Sequence, residues 1–352
     1  MTTMLSCHNL WKVFGASKSE FLALTDAERD SPEALAAKGW IAAVRNASFD
    51  IARGEVFVIM GLSGSGKSTL VRCLSRLIEP SLGSVTIDGQ DLLGANEKDL
   101  IALRRRLMSM VFQHFALLPN RTVLGNVAFP LQIHGTGRTE RELRARDMID
   151  LVGLAGREDH FPNELSGGQQ QRVGIARSLA SDPAVWFLDE PFSALDPLIR
   201  ADLQDELLRL QKKLHKTIIF ITHDLDEAIK IADRIAIMEN GEIVQTGSPD
   251  ELVLKPATEY VARFVRDVPK AKVIRVEHIM DTGPGGGEAH AVVDPKDTVE
   301  AVAKIIIAAN CPVNVVDHQG RIIGHVKPEI LSKVLAGLPY SIEGRNKDQI
   351  AM

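Results

Sequence analysis

The run Gly61–Thr69, with the sequence GLSGSGKST, limits the possible folds of this chain more than any other feature. It satisfies the pattern GxxxxGK[S/T] and follows a compact apolar run, Glu55–Gly61, that is typical of a buried strand. From Lys67 to Ile78 the apolar residues recur with helical spacing. Glycines let backbone N–H groups wrap around an anion, and a helix start adds a partial positive charge. The segment therefore predicts a phosphate-binding loop between a strand and a helix.

Each position of this loop has an expected role. Lys67 is expected to reach the β and γ phosphates of a nucleotide, and Ser68 to hold Mg²⁺. The alternative, a flexible turn without a ligand, does not account for the strand and the helix on either side. The residues predicted to line the phosphate site are Gly61, Ser63, Gly64, Ser65, Gly66, Lys67, Ser68 and Thr69.

Two carboxylates end another apolar run, Val185–Glu190. If this run is a strand, Asp189 and Glu190 lie at the carboxyl edge of the sheet, where ligands of α/β proteins bind. Asp189 suits an outer partner of Mg²⁺, and Glu190 suits a base that orients water for in-line attack. Alone, such a pair is usually a solvated strand end. Together with the phosphate loop it predicts a hydrolytic site.

A second short glycine motif, Leu165–Gln169 with the sequence LSGGQ, precedes another helical pattern. Its serine hydroxyl and glycine N–H groups suit a second phosphate cradle at a helix start, although an isolated motif of this kind is usually a cap or a turn. One nucleotide has only one γ-phosphate. Two cradles in one chain are therefore best explained by a dimer.

Short apolar strands alternate with helices from position 168 onward, which predicts an α/β fold with a largely parallel sheet covered on both faces. Residues 16–40 are expected to form a helical insertion and 95–165 a helical subdomain. With 352 residues and about 150 residues per domain, two domains are expected. We place the boundary near 267, before a small α+β module at 268–352.

Composition excludes several functional classes. The net charge of −5 gives no broad positive field, which argues against nucleic acid as a partner. Cys7, Cys73 and Cys311 show no CxxC spacing, so neither a disulfide framework nor a zinc site is expected. Three isolated thiols are consistent with a protein of the reducing cytosol. The start of the chain does not have the pattern of a secretory signal. The longest apolar runs are far shorter than the ~18 residues of a membrane span, so any membrane role is expected to be peripheral.

The ordered set GLSGSGKST, LSGGQ, VWFLDE, SALD at 193–196 and the histidine after a strand resembles the ATP-binding subunits of ABC transporters over about residues 4–266. That resemblance implies a P-loop ABC ATPase fold with an antiparallel β subdomain and a helical subdomain. It also implies a head-to-tail homodimer that holds two ATP molecules with Mg²⁺. Each ATP would lie between the P-loop of one copy and the LSGGQ of the other, at Ser166, Gly167, Gly168 and Gln169.

Four further residues receive roles from the resemblance. Phe14 resembles the aromatic residue that stacks on adenine, and Gln113 the residue that links Mg²⁺ and the attacking water to the membrane partner. Asp196 resembles the residue that crosses the dimer interface, and His223 the one that contacts the γ-phosphate. From the residues alone, a core position for Phe14, a surface amide for Gln113 and a helix cap for His223 remain open.

Three segments of the sequence resemble the ATPases of glycine betaine, proline betaine and choline importers. They are the sequence around the P-loop, the insertion at 16–40 and the stretch FSALDPLIRADLQDELLRLQ. Such an ATPase converts ATP and water to ADP and phosphate. It is peripheral, on the cytoplasmic face of the membrane, and works with an integral membrane permease and an extracytoplasmic solute-binding protein. An importer of another solute, such as an amino acid, is the alternative. A soluble ABC protein acting on nucleic acid is disfavoured because the chain has only one cassette. A binding module with inactive ATPase motifs is disfavoured because every catalytic position carries the expected residue.

The tail, HIMD followed by strand, helix, two strands and helix, resembles a single CBS motif. Since CBS motifs work in pairs, one per chain suggests pairing across the dimer. The stretch from Gly324 to Glu329 departs from the Gly, Ser/Thr, Asp pattern of CBS motifs that bind adenine nucleotides, which argues against nucleotide sensing. A structural or dimerising module and a regulator of another kind both remain open.

Overall fold

The computed structural model describes residues 2–113, 116–282, 291–309, 311–317, 319–336 and 338. The chain divides into two compact units, Met1–Thr246 and Gly247–Met352. This division lies earlier in the chain than the boundary we expected near 267. The reason is that a short helix directly after the division, Pro249–Leu254, packs against Lys270–Val273 in the tail.

The strands up to this division are β1 (Thr3–Phe14), β2 (Ile41–Ala52), β3 (Val56–Met60), β4 (Leu82–Ile87), β5 (Gln90–Asp91), β6 (Met108–Val111), β7 (Val185–Asp189), β8 (Thr217–Thr222), β9 (Arg234–Glu239) and β10 (Glu242–Gly247). The helices are α1 (Lys18–Leu22), α2 (Asp26–Asp30), α3 (Pro32–Ala37), α4 (Lys67–Leu74), α5 (Glu97–Leu107), α6 (Val123–Ile133), α7 (Arg138–Leu151), α8 (Gly167–Ala180), α9 (Pro197–Leu214) and α10 (Leu225–Ile231).

A six-stranded sheet in the order β10-β9-β3-β8-β7-β6 carries the site. Strands β9, β3, β8, β7 and β6 pair in parallel. Every residue of β3, β7 and β8 is buried, as expected for parallel strands covered on both faces. The predicted α/β sheet is therefore confirmed, and the carboxyl ends of these strands meet at one edge.

A second sheet, in the order β2-β1-β4-β5, is antiparallel and supplies the predicted antiparallel subdomain. Phe14, the last residue of β1, pairs with Ile41, the first residue of β2. One apolar cluster joins this sheet to the six-stranded one, with Leu5, Ile59 and Phe187 among its fully buried members. The two sheets of the first unit therefore share a core.

The segment between β1 and β2 forms three short helices, as predicted for 16–40. Ser31 caps α3, its hydroxyl accepting a hydrogen bond from the backbone N–H of Ala34, and Pro32 occupies the first helical position. Phe21 and Leu35 are fully buried with residues of β1 in a small apolar cluster. The insertion is thus a packed element.

The predicted helical region at 95–165 contains α5, α6 and α7, and the structure differs from the sequence expectation at two places. Residues Met108–Val111, which lie within this predicted helical region, form the edge strand β6. Helix α6 was not anticipated because its sequence is mostly apolar, with Asn126 and Gln132 as its polar side chains, and includes Gly125 and Pro130, so it lacks the continuous polar face that marks a surface helix.

The second unit contains α11 (Pro249–Leu254), α12 (Glu259–Phe264), α13 (Lys270–Val273), β11 (Val292–Val293), α14 (Val299–Ala309), β12 (Val313–Val316), β13 (Ile322–Val326) and α15 (Pro328–Leu335). Its sheet has the order β11-β12-β13, and α14 packs against α15. The predicted order of strand, helix, two strands and helix is present. The glycine-rich stretch at 283–287 lies outside the described residues.

Candidate nucleotide-binding site

The predicted phosphate loop joins β3 to α4, and neighbouring backbone fixes its glycines. Gly66 precedes α4 with φ +101°, a conformation that favours glycine, and a Cβ there would overlap the carbonyl oxygen of Ala43. A Cβ on Gly61 would likewise overlap the carbonyl oxygen of Met238. The loop is therefore held between β2 and β9, and larger residues do not fit at these two positions.

The outer part of the loop is open, and a serine hydroxyl is buried within the loop. Ser63 and Gly64 are exposed, and Thr69 is half-buried in the first turn of α4. The hydroxyl of Ser65 is buried, and no hydrogen-bond partner for it is found among the residues that the structure describes. Since buried hydroxyls are normally paired, this one fits a loop that takes an anionic ligand.

Lys67 closes the loop from within. Its ammonium group donates to the backbone carbonyl oxygens of Gly61 and Leu62, at 2.8 and 2.9 Å. Burial lowers the pKa of Lys67, while the charges of Glu190 and Asp189 oppose that shift. The ammonium group therefore already lies in the loop. It donates to carbonyl oxygens that phosphate oxygens could replace as acceptors.

The side chains of Ser68 and Asp189, which we expect to belong to a magnesium site, contact each other beside the loop. The Ser68 hydroxyl donates to Oδ1 of Asp189 at 3.0 Å, and Arg72 lies 3.8 Å from Oδ2. Burial raises the pKa of Asp189, against the opposing effects of Ser68 and Arg72. A hydroxyl and one carboxylate fit Mg²⁺, which is bound by few protein oxygens together with phosphates. Within the described ranges no cluster of three acidic, histidine or cysteine side chains could hold a metal without such a ligand.

Arg72 was missed in the sequence. It lies one helical turn after Ser68 on α4, so the spacing of four residues places both side chains on the same face. That spacing was the signal that could have identified it.

Gln113, Glu190 and His223 come together at the carboxyl edge of the sheet. The Gln113 amide donates to Oε2 of Glu190 at 3.3 Å, and Nδ1 of His223 lies 3.4 Å from the same oxygen. Glu190 has a φ of +44°, and its N–H donates to the carbonyl oxygen of Ile221 in β8. One carboxylate oxygen is therefore flanked by the other two predicted catalytic side chains.

Phe14 lies at the end of β1, with 41% of its surface exposed. Its strand partner Ile41 is two residues before Ala43, the residue whose carbonyl oxygen lies against Gly66 of the phosphate loop. The ammonium group of Lys12 is 4.9 Å from the centre of the Phe14 ring. The exposed ring at the end of β1 is compatible with base stacking and argues against a core position.

The LSGGQ motif forms the start of α8. Ser166 and Gln169 cap the helix reciprocally: Ser166 accepts from the N–H of Gln169, and the side chain of Gln169 accepts from the N–H of Ser166. Ser166 and Gly167 are exposed, while Gly168 is buried, and a Cβ on it would lie 2.6 Å from Cγ2 of Ile199 in α9. No hydrogen bond within the described part of the chain joins the motif to the phosphate loop.

Asp196 is exposed and caps α9, accepting from the N–H of Ile199 at 3.1 Å. One turn later Arg200 donates to the carboxylate of Asp224, the residue after His223, at 3.3 Å. Arg200 thereby joins the helix that begins at Asp196 to the loop that carries His223. Its role had no signal in the sequence, because the two segments become neighbours only in the folded sheet.

The loop, the Ser68–Asp189 pair and the Glu190 group define a P-loop nucleotide-binding cassette. A family model described as ABC transporter matches residues 44–193. The chain is 52% identical to a trimethylamine N-oxide transport ATP-binding protein of Pelagibacter ubique, over 92% of this chain and 95% of that protein. It is also 52% identical to a glycine betaine/carnitine transport ATP-binding protein of Listeria monocytogenes, over 78% of this chain and 70% of that one.

Among solved structures, the dimeric ATP-binding cassette MJ0796 in a post-hydrolysis state with ADP and Pi is similar. It has a TM-score of 0.59 and 32% identity, and covers 70% of this chain and 99% of its own. The chain belongs to the ATP-binding subunits of ABC transporters, and the predicted P-loop ABC fold is confirmed. Within the described residues, no helix is both long and apolar enough to cross a membrane.

Proposed function

We propose that the chain binds ATP with Mg²⁺ and hydrolyses it to ADP and phosphate. The observation that carries this proposal is the position of Glu190, whose Oε2 has Gln113 at 3.3 Å and His223 at 3.4 Å beside the phosphate loop. A carboxylate held in this way suits a base that orients a water molecule and takes its proton as the water oxygen bonds to phosphorus.

The remaining residues of the site have separable tasks. Lys67 exchanges the carbonyl oxygens of Gly61 and Leu62 for phosphate oxygens when a nucleotide enters. Ser68 and Asp189 would hold Mg²⁺, which supplies positive charge to the phosphate oxygens when bound. Phe14 presents an exposed ring for the base. Gln113 orients the carboxylate and would carry the state of the site toward the membrane partner.

We propose that two copies complete each other's sites head to tail. Supporting this, the LSGGQ start of α8 is exposed and makes none of the described hydrogen bonds to the loop of its own chain. Its exposed helix start suits the γ-phosphate bound by the other copy. Asp196, exposed at the start of α9, is the residue proposed to cross the interface. The similarity to a dimeric cassette supports the same arrangement.

We propose that this ATPase energises an importer of quaternary-amine compatible solutes. The names of the two relatives cite trimethylamine N-oxide and glycine betaine/carnitine. These solutes share a methylated nitrogen with a fixed positive charge and an anionic oxygen in the same small molecule. Trimethylamine N-oxide was not among our expected solutes and joins glycine betaine, proline betaine and choline as a candidate. An integral membrane permease and an extracytoplasmic solute-binding protein complete the proposed system, with this chain peripheral on the cytoplasmic face.

Reconstitution with the permease and solute-binding protein tests this proposal. We expect ATP-dependent uptake of labelled glycine betaine or trimethylamine N-oxide that unlabelled proline betaine or choline competes for and histidine does not. A complex built with Glu190→Gln is the matched control and should not accumulate solute. Uptake of histidine alone would favour the amino-acid alternative, and failure of every solute would contradict the substrate class.

Residues 268–352 are proposed as a CBS-like module that pairs across the dimer or regulates it. The order of β11, α14, β12, β13 and α15 supports the resemblance on which this rests. Measuring uptake by the whole complex against ionic strength and against AMP separates the alternatives. If the module is purely structural, uptake should not respond specifically to either condition. If it senses ionic strength, uptake should change with salt concentration. A response to AMP would contradict our inference from Gly324–Glu329 that the module does not bind adenine nucleotides.

A further inference from the structure

The insertion between β1 and β2 is connected to the phosphate loop through one arginine. Arg45 of β2 directs its guanidinium group at two different elements. Nη2 donates to the carbonyl oxygen of Asp30 at 2.8 Å, and Nη1 lies 3.0 Å from the carboxylate of Glu242. Asp30 is the last residue of α2, where free carbonyl groups carry partial negative charge. Only 12% of the Arg45 side chain is exposed, whereas 48% of the Glu242 side chain is exposed, so the guanidinium group is largely enclosed and its ion-pair partner lies at the surface.

The backbone of the same residue continues the connection. The N–H of Arg45 donates to the carbonyl oxygen of Gly241 at 2.8 Å, and the N–H of Gly241 donates to the carbonyl oxygen of Ser65 at 3.0 Å. Gly241 belongs to the turn between β9 and β10, and Ser65 belongs to the phosphate loop. Two successive hydrogen bonds therefore link Arg45 to the loop.

These three segments pack backbone against backbone, with little room to adjust. A Cβ on Gly241 would lie 3.0 Å from the carbonyl oxygen of Ala42, and a Cβ on Gly66 would overlap that of Ala43. A displacement of residues 42–45 would therefore displace the turn, the phosphate loop or both. Ser65 is also the residue whose buried hydroxyl has no hydrogen-bond partner in the described part of the chain.

We propose that Arg45 is a positioning residue for nucleotide binding: its side chain fixes the phosphate loop by tying Glu242, the residue after Gly241, to the insertion helix α2. This inference rests on the proposed nucleotide site and adds a role for the insertion. The loop binds phosphate through N–H groups that must converge on one anion, so a small displacement weakens several hydrogen bonds together. Arg45 does not itself contact the reacting atoms in this proposal.

The test measures the ATP affinity and turnover of the full chain with Arg45→Ala. We expect the Kd for ATP with Mg²⁺ to rise about three- to tenfold, while the rate at saturating ATP stays within about twofold of the wild type. Arg53→Ala is the matched control, because it removes another arginine, directly after β2. The Arg53 guanidinium pairs with Asp88 on the surface at 2.5 Å. This control should keep the wild-type Kd.

A second variant distinguishes the effect of the insertion from the effect of the ion pair between Arg45 and Glu242. Phe21→Ala empties the core of the insertion, in which Phe21 is fully buried and its ring centre lies 5.6 Å from that of Trp11. If the insertion acts through Arg45, Phe21→Ala raises the Kd in the wild type and has no further effect in the Arg45→Ala background. Arg45→Lys keeps a charge for Glu242 but lacks the fork that reaches two partners, so an intermediate Kd is expected.

The outcomes are distinguishable. A wild-type chain that binds no ATP overturns the proposed nucleotide site and this inference with it. A wild-type chain that binds ATP, with an unchanged Kd in a folded Arg45→Ala variant, overturns the inference alone. Additive effects of Phe21→Ala and Arg45→Ala, or a wild-type Kd in Arg45→Lys, overturn the role of the insertion.

Discussion

The carboxylate of Glu190 lies 3.4 Å from Nδ1 of His223, with the amide of Gln113 on the same oxygen. These three side chains follow three different strands, β7, β8 and β6, which are neighbours in the sheet. Their convergence gives one carboxylate a fixed orientation beside the phosphate loop. It is the geometry on which the proposed hydrolysis depends most directly.

Replacement of Glu190 by Gln is expected to leave ATP binding nearly unchanged and to reduce hydrolysis by about 10²- to 10⁴-fold, because the amide cannot accept a proton from water. Binding is measured by calorimetry and hydrolysis by phosphate release, and size-exclusion chromatography with ATP should show a trapped dimer. Glu206→Gln is the control, since Glu206 bonds to Arg209 on the surface of α9. Hydrolysis at the wild-type rate in Glu190→Gln would refute the assigned base.

Lys67→Ala is expected to weaken ATP binding itself. The ammonium group is held in the loop by Gly61 and Leu62, and charge-assisted hydrogen bonds contribute about 1.5–3 kcal/mol. The Kd should therefore rise roughly 10- to 100-fold. Lys216→Ala, which removes a lysine paired with Asp182 elsewhere, should keep the wild-type Kd. An unchanged Kd in Lys67→Ala would place the phosphates away from this loop.

Asp189 should make stability depend on pH. Because burial raises its pKa, the folded chain binds this proton more tightly than the unfolded chain, so stability falls as pH rises from about 4 through the raised value. Asp189→Asn keeps an acceptor for Ser68 and removes the buried charge. We therefore expect a higher Tm at neutral pH without nucleotide, and a difference that shrinks as the solution becomes acidic.

With ATP and Mg²⁺ the wild type should have the higher Tm and Asp189→Asn the lower, since only the ionised carboxylate suits the metal. Thermal unfolding between pH 4.5 and 8, with and without MgATP, provides both comparisons. A nucleotide-free Asp189→Asn chain that is less stable at neutral pH would show that the carboxylate is stabilising, contrary to the direction of its pKa.

Gly168→Ala tests the contact between the LSGGQ helix and α9. The new Cβ would lie 2.6 Å from Cγ2 of Ile199, so the Ile199 side chain or one of the two helices must shift. Overpacking of this kind costs about 1–3 kcal/mol of unfolding free energy. Denaturant unfolding should show this loss, and adding Ile199→Ala, which removes the opposing methyl group, should recover part of it. A loss that the second substitution does not reduce would mean that the strain lies elsewhere.

Much of the site was predictable because its parts are local. The phosphate loop and the pair Asp189 and Glu190 each occupy a few consecutive residues between a strand and a helix, and the LSGGQ cap occupies a few consecutive residues at the start of a helix. For Gln113, His223, Phe14 and Asp196 the sequence supplied positions through family resemblance, without contacts. Helix α6 and strand β6 escaped prediction, since neither shows the periodicity that distinguishes a half-exposed element.

By itself, the sequence determined the strand, loop and helix order, the chemical groups at the site and the class of anion they suit. Hydrophobic periodicity and glycine spacing act over short stretches of chain, so both can be read locally. Only the tertiary structure decided which distant groups meet: Gln113 with Glu190, 77 positions apart, and Arg45 with Gly241. The physical reason is that strand order and register in a sheet arise from packing of the whole core, which no local stretch specifies.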